Sequence, residues 1–320
     1  MLMKKIRIGT RGSQLALWQA NWVKDTLEDW YPDLEIEIQK IKTTGDKILD
    51  APLSKVGGKG LFVKEIEEAL IDKRIDIAIH SMKDVPTDLP EGLCISAIAE
   101  REDPRDALIS RDGIKLKELK KGARIGTSSL RRQVQLLNFR SDFEIEQLRG
   151  NLDTRINKLI ARDLDAIIVA AAGVKRMGWE KKITEYLPYK IFLPAIGQGA
   201  IGIETRESDN KIKGMIERFN HRETSLCIKA ERSFLKRLGG GCQVPIAALG
   251  TINKGGLKLE GMVSSIDGKI LYRDSEEACS EQSEPNRVDW VESLGIRLAE
   301  RLLRRGADKV LKEVYRDWVS

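Results

Sequence analysis

The sequence predicts an α/β protein: two blocks of alternating strands and helices followed by a smaller C-terminal α+β domain. Three observations predict it. Short apolar strands alternate with amphipathic helices over the first two thirds of the chain. Two short crossings, one charged and one rich in Pro and Gly, divide that region. From His221 the order changes to a helix, three strands and a closing helix. A chain of 320 residues can hold two or three domains with full cores.

The elements follow in order. Residues 6–9 form a short strand, and residues 13–27 a helix with Leu17, Ala20, Val23 (or Lys24) and Leu27 near helical spacing. Residues 34–41 alternate as a half-buried strand. Residues 43–60 show no period and end in Gly57-Gly58-Lys59-Gly60, which fits a lid or binding loop. A helix over 61–70 and a strand over 75–79 lead to His80-Ser81-Met82-Lys83-Asp84. The charged run 100–105 reads as a hinge. The second block has strands at 107–110, 123–126, 145–148 and 166–171, with helices at 130–139 and 154–161. The second crossing spans 193–199. A helix over 222–238 then reaches Gly239-Gly240-Gly241-Cys242, and strands at 247–252, 257–263 and 270–274 precede a helix carrying Val291, Leu294, Leu298 and Leu302.

Composition removes several classes. With 41% hydrophobic, 32% charged and 5% aromatic residues, the chain is neither disordered, collagen-like nor a membrane bundle. No stretch approaches the roughly 18 apolar residues of a spanning helix. Residues 1–7 run into a strand without an apolar leader, so the cytosol is the expected compartment and no membrane partner is expected. Fifty-five Lys and Arg against 49 Asp and Glu leave a charge of +6, which suits a nucleic acid or a small polyanion equally. Cys94, Cys227, Cys242 and Cys279 make no CxxC pair and only two His are present, so no metal site is expected.

Polar residues recur where strands end: Thr10-Arg11-Gly12-Ser13, His80 to Asp84, Thr127-Ser128-Ser129-Leu130-Arg131-Arg132, Arg149-Gly150-Asn151, and Lys175-Arg176. Ligands of open α/β sheets bind outside the carboxyl ends of strands, so these cations converge on an anion. Ser13 and Ser129 each open a helix, where free N–H groups and the dipole favour carboxylate or phosphate. Arg suits two-bond recognition of carboxylates. The glycine run lacks Walker spacing, which leaves a cover carrying Lys55 and Lys59. Asp84 is a single acid among these cations, able to stay ionised, stabilise positive charge or relay a proton. Cys242 follows three glycines with no His–Asn pairing, which suits an attachment point.

Together these stretches closely resemble the porphobilinogen deaminase family. They are GTRGS at 9–13 with LAL at 15–17, KVGGKGLF at 55–62, DIAIHSMKDVP at 76–86, REDPRD at 101–106, GTSSLRRQ at 126–133, LRGNLDTR at 148–155, LPAIGQGAIG at 193–202, and Glu231-Arg232 through Cys242 to Pro245 with GGCQVP at 240–245. The resemblance implies two lobes like those of periplasmic binding proteins and a third domain offering Cys242. The boundaries it implies are 1–99 with a return segment 200–218, then 105–193, then 222–320.

The implied reaction joins four porphobilinogen molecules head to tail with loss of ammonia, giving the linear tetrapyrrole hydroxymethylbilane. A dipyrromethane cofactor, joined by a thioether to Cys242, is the implied primer. The resemblance implies cofactor contacts from Ser13, Lys83, Asp84, Thr127, Ser129, Arg131, Arg132 and Gly150, and substrate contacts from Arg11, Arg149, Arg155, Arg176 and Gln198. Asp84 with Lys83 is implied as catalytic, Lys55, Lys59 and Phe62 as the lid, and a monomer as the oligomeric state. Each pyrrole carries acetate and propionate, so a growing chain needs many fixed cations. Loss of ammonia leaves an electron-poor azafulvene, which Asp84 would oppose and which a thiolate would trap. A bilobal anion-binding protein without chemistry would lack a covalent adduct on Cys242. A nucleic-acid binder would need a base-reading motif, and none is present.

Overall fold

The computed structural model describes residues 4–47, 60–240, 244–253, 256–279 and 289–319. Contacts divide the chain into two compact units. The first is Met1–Asp50, Gly58–Glu102 and Gly199–Ser225; the second is Ala51–Gly57, Asp103–Gln198 and Leu226–Ser320.

In the first unit β1 (Lys5–Thr10) puts Ile6 and Ile8 inward at alternate positions. Helix α1 (Gln14–Trp30) starts where the Ser13 hydroxyl accepts the Ala16 N–H at 3.3 Å. It buries Ala20, Val23 and Leu27, as its spacing predicts, but continues to Trp30 because nothing in that last turn breaks a helix. Next come β2 (Glu35–Lys40), a single helical turn α2 (Thr44–Lys47) within the stretch read as aperiodic, and α3 (Lys64–Ile71). β3 (Ile77–Ser81) follows, and Ile77 to His80 are all buried, as befits a strand flanked on both sides. Then come a tight turn of 3₁₀ helix (Met82–Asp84) and β4 (Leu93–Ile98).

The sheet is completed by a strand from far along the chain, β10 (Ile201–Arg206). Its order is β2-β1-β3-β10-β4, with β1 parallel to β2 and β3, and β10 antiparallel to β3 and β4. Ile6, Ile8, Val23, Leu27, Ile77, Ile79 and Ile203 share one core.

The second unit repeats that plan. It holds β5 (Asp106–Ser110), β6 (Arg124–Gly126), α4 (Leu130–Phe139), β7 (Glu144–Glu146), α5 (Leu152–Ala161), β8 (Ala166–Ala170), α6 (Ala171–Arg176) and β9 (Glu185–Tyr186). The order is β7-β6-β8-β5-β9; β6 runs parallel to β7 and β8, and β5 antiparallel to β8 and β9. Sequence periodicity missed β4, β9 and β10, each of which gains its place only by pairing with a distant strand.

The same unit carries an antiparallel sheet of β11 (Ile246–Asn253), β12 (Gly256–Ser264) and β13 (Leu271–Cys279), covered by helices. Preceding the sheet is α8 (Arg222–Arg237), itself after the short α7 (Asn210–Ile216); following it are α9 (Asp289–Leu302) and α10 (Asp308–Val319). Phe234, Leu259, Leu294, Leu298 and Val314 form its core. Between α9 and α10 the helix is broken at Gly306, whose φ of 114° and 2.7 Å clearance from the Tyr272 hydroxyl leave no room for a side chain.

Candidate functional site

In the first unit, β1 and β3 are parallel neighbours, so their carboxyl ends share one sheet edge. Past β1, Arg11 donates from Nη2 to Asp46 Oδ1 at 2.5 Å, and its guanidinium lies 4.3 Å from the centre of the Phe62 ring. Burial works to raise the Asp46 carboxyl, and the bonds and charge of Arg11, with help from Thr43, overcome it and hold that group below its ordinary value. The structure therefore brings Arg11 and Phe62 into contact, a pairing that sequence reading left unconnected. Ser13 spends its acceptor on the α1 cap and keeps its own O–H for another partner.

Past β3, Met82 is buried and its N–H donates to Ala200 O at 3.0 Å. Gly202 makes this possible, since a Cβ there would lie 2.3 Å from the Met82 sulfur. Lys83 and Asp84 follow on the half-exposed side of the turn. Among the described residues Asp84 forms no hydrogen bond or ion pair of its own. Gln19 is a site residue that sequence reading missed. It is buried, and its Nε2 donates to Ser81 Oγ at 2.9 Å, tying α1 to the end of β3. Its signal was a polar residue beside Ala20 on the buried stripe of a helix.

In the second unit the carboxyl ends of β6, β7 and β8 share an edge. Thr127 is buried, and its hydroxyl accepts the Ser129 N–H at 3.2 Å. Ser129 is the N-cap of α4, yet its side chain caps nothing. Arg132 N–H and Gln133 N–H donate to Ser129 O, while the N–H groups of Leu130 and Arg131 donate no bond to the cap side chain.

Arg131 and Arg132 do not reach outward from that helix. Both are buried on Asp106: Arg131 Nη1 lies 2.6 Å from Oδ2, and Arg132 Nη2 2.8 Å from Oδ1. Arg131 also donates to Leu193 O and Arg132 to Ile168 O. Gln198, buried as well, donates to Asp106 Oδ1 at 3.0 Å. Antiparallel β5 causes this, because Asp106 pairs with Ala170 at the carboxyl end of β8. Burial acts to raise the Asp106 carboxyl, but the charges of Arg131 and Arg132 outweigh it and hold the group well below the usual carboxylate range. Burial in turn lowers Arg132. Two guanidiniums on one carboxylate leave one excess positive charge at the start of α4.

Arg155 donates from Nε to Gly150 O at 2.8 Å, and Lys158 to the carbonyl of Arg149 at 3.1 Å. Gly150 has φ 108°, and a Cβ would come within 2.6 Å of Thr154. Arg176 differs from expectation: β8 passes directly into α6, so Lys175 and Arg176 occupy its last turn and not the strand end. Glu231, part of the stretch that carries the resemblance but given no role there, is buried and accepts the Gly197 N–H and the Gly250 N–H, each at 2.8 Å. Cys242, Lys55 and Lys59 lie outside the described residues. Among the described residues no group of three His, Cys, Asp or Glu is placed to hold a metal, and no helix is long and apolar enough to cross a membrane.

Comparison with known proteins adds the following. Residues 6–214 match the family model described as porphobilinogen deaminase, dipyromethane cofactor binding domain, and residues 225–304 match the porphobilinogen deaminase C-terminal domain. Porphobilinogen deaminase of Geotalea uraniireducens is 58% identical over 320 residues, covering 100% of this chain and 98% of the relative. That of Desulforamulus reducens is 52% identical over 310 residues, covering 97% and 98%. Among solved structures, the methionine binding protein MetQ is 15% identical with a TM-score of 0.42, over 69% of this chain and 92% of that one. The periplasmic aliphatic sulphonate binding protein SsuA from Escherichia coli is 14% identical with a TM-score of 0.40, over 73% and 70%.

Proposed function

Because the chain belongs to the porphobilinogen deaminase family, we propose that it joins four porphobilinogen molecules head to tail, releasing ammonia at each addition, and yields hydroxymethylbilane. The chain would hold a dipyrromethane through a thioether at Cys242. When bound, that group supplies the nucleophilic pyrrole carbon from which the chain grows. The donors suit its carboxylates: the uncapped start of α4, the Ser129 hydroxyl, and the excess positive charge left by Arg131 and Arg132 on Asp106.

The observation that carries the reading is the placement of Asp84. It stands past the end of a buried strand, next to Lys83, on a turn pinned from behind by Met82. A carboxylate so held accepts pyrrole N–H bonds and opposes the positive charge that appears on the substrate when ammonia leaves. It takes up the proton lost by the carbon that has formed the new bond and passes it to the amine of the next porphobilinogen, which leaves as ammonia and restores the carboxylate. Arg11, Arg149, Arg155 and Arg176 bind the acetate and propionate groups, with Lys83 beside Asp84. Lys55, Lys59 and Phe62 cover the site, and the stacking of Phe62 on Arg11 supports that role. The reading includes three domains at 1–99 with 200–218, 105–193 and 222–320, and a cytosolic monomer.

Intact mass under denaturing conditions, combined with an Ehrlich colour reaction for bound pyrrole, tests it. The expected result is a chain heavier by a dipyrromethane that converts porphobilinogen to a linear tetrapyrrole. A bare chain that is nonetheless fully active would overturn it.

A further inference from the structure

Three titratable side chains are buried together in the first unit, and the chemistry above uses none of them. His80 of β3, Glu204 of β10 and Glu67 of α3 are 5%, 0% and 6% exposed. His80 Nε2 lies 2.9 Å from Glu204 Oε2. The other Glu204 oxygen, Oε1, and Glu67 Oε1 are both buried and without a hydrogen-bond partner among the described residues. Burying a carboxyl oxygen that no donor meets disfavours the charged form, so a proton on Glu67 is the state its surroundings suit.

We propose that Glu67 keeps its proton beside the His80–Glu204 pair, and that these three side chains form a positioning device holding β3 to β10 beneath the Met82–Asp84 turn. The inference rests on the role given to Asp84 above. Geometry ties the unit to that turn. His80 is paired in register with Gly202, and Ser81 with Ile201. The next residue, Met82, bonds Ala200 and packs on Gly202. Whatever separates β3 from β10 therefore moves Asp84.

The charged neighbours leave the unit to itself. Arg7 of β1 and Arg206 of β10 both bond to Asp76, and β4 carries no charged residue. On α3, Glu65 takes the Thr44 hydroxyl and N–H, and Glu68 adds a small repulsion. Burial first, then the charge of Glu204, push the Glu67 carboxyl up to about 7, with His80 acting in the opposite direction.

The test uses the primer-bearing holoprotein with Glu67→Gln and Glu204→Gln. Infrared spectra through a pH titration of the wild type should show a carboxylic-acid C=O band that disappears near pH 7 and is missing from E67Q. Folding takes up a proton between pH 4.5 and about 7, so wild-type stability relative to E67Q should fall as pH rises through that window and stay level above it. E204Q should lower kcat about tenfold with KM and bound primer unchanged. The wild type should lose kcat as the pH rises through about 7, whereas E67Q, permanently uncharged, should keep its kcat and show no such decline. A wild type without the band, or E67Q with the same band and the same pH profile as the wild type, overturns the proposal. If E204Q does not fold, the E67Q spectra and stability decide alone. Those two readouts need no turnover, so they stand even where the reading of Asp84 fails.

Discussion

The carboxylate of Asp106 accepts a hydrogen bond from Arg131 Nη1 at 2.6 Å, with both side chains buried. Arg132 and Gln198 close on the same carboxylate, so one acid organises three residues drawn from two separate sequence stretches.

Asp106→Asn should leave two buried guanidiniums without a counter-charge and cost about 3–5 kcal/mol. Urea unfolding followed by circular dichroism checks this. Because the carboxyl is held below its ordinary value of 3.8, the wild-type advantage should be constant above that pH and shrink as the pH falls below it. An advantage that grew in acid would contradict the sign.

Asp84→Ala should fold with unchanged thermal stability and carry the primer, because the half-exposed Asp84 has no intramolecular bond among the described residues to lose. Its kcat should drop by at least about a hundredfold, the scale of losing one charge-stabilising group. Steady-state turnover of porphobilinogen is the measurement, and near-normal kcat removes Asp84 from the mechanism.

Cys242→Ser should give a chain whose intact mass equals that of the bare polypeptide, with no pyrrole colour. An unchanged adduct mass assigns the attachment elsewhere.

Arg149→Leu or Arg155→Leu should allow the first additions and stall later ones, since the Arg149–Arg155 segment is shaped around Gly150 to present cations at one sheet edge. Native mass spectrometry should then show enzyme bearing partial chains. A normal product distribution counts against both residues.

Much of the fold was legible because its signal is local. The period of α1 from Ala20 to Leu27 and the alternation of β1 each reflect one element meeting its own core. The resemblance placed β10 with the first lobe, as the return segment 200–218, but its own pattern did not, because its partners β3 and β4 lie over a hundred positions earlier and its apolar residues share their pattern with the preceding crossing. The strand-end residues Arg11, Ser13, Lys83 and Asp84 could be found because loops after parallel strands gather at one edge. Arg131 and Arg132 were found as cations, but their commitment to Asp106 was not, because nothing in GTSSLRRQ names the acid that meets it.

The chain's order of residues by itself determined the family, the alternating architecture and the set of groups able to bind a polyacid, since these rest on short motifs and on local periodicity. Tertiary structure alone decided which charges are already spoken for. It folded Asp106 against an arginine pair, laid Phe62 on Arg11, paired His80 with Glu204 across two strands, and buried Glu67 on the helix packed against them. Hydrogen bonds and desolvation act over a few ångströms in space, whatever the separation along the chain.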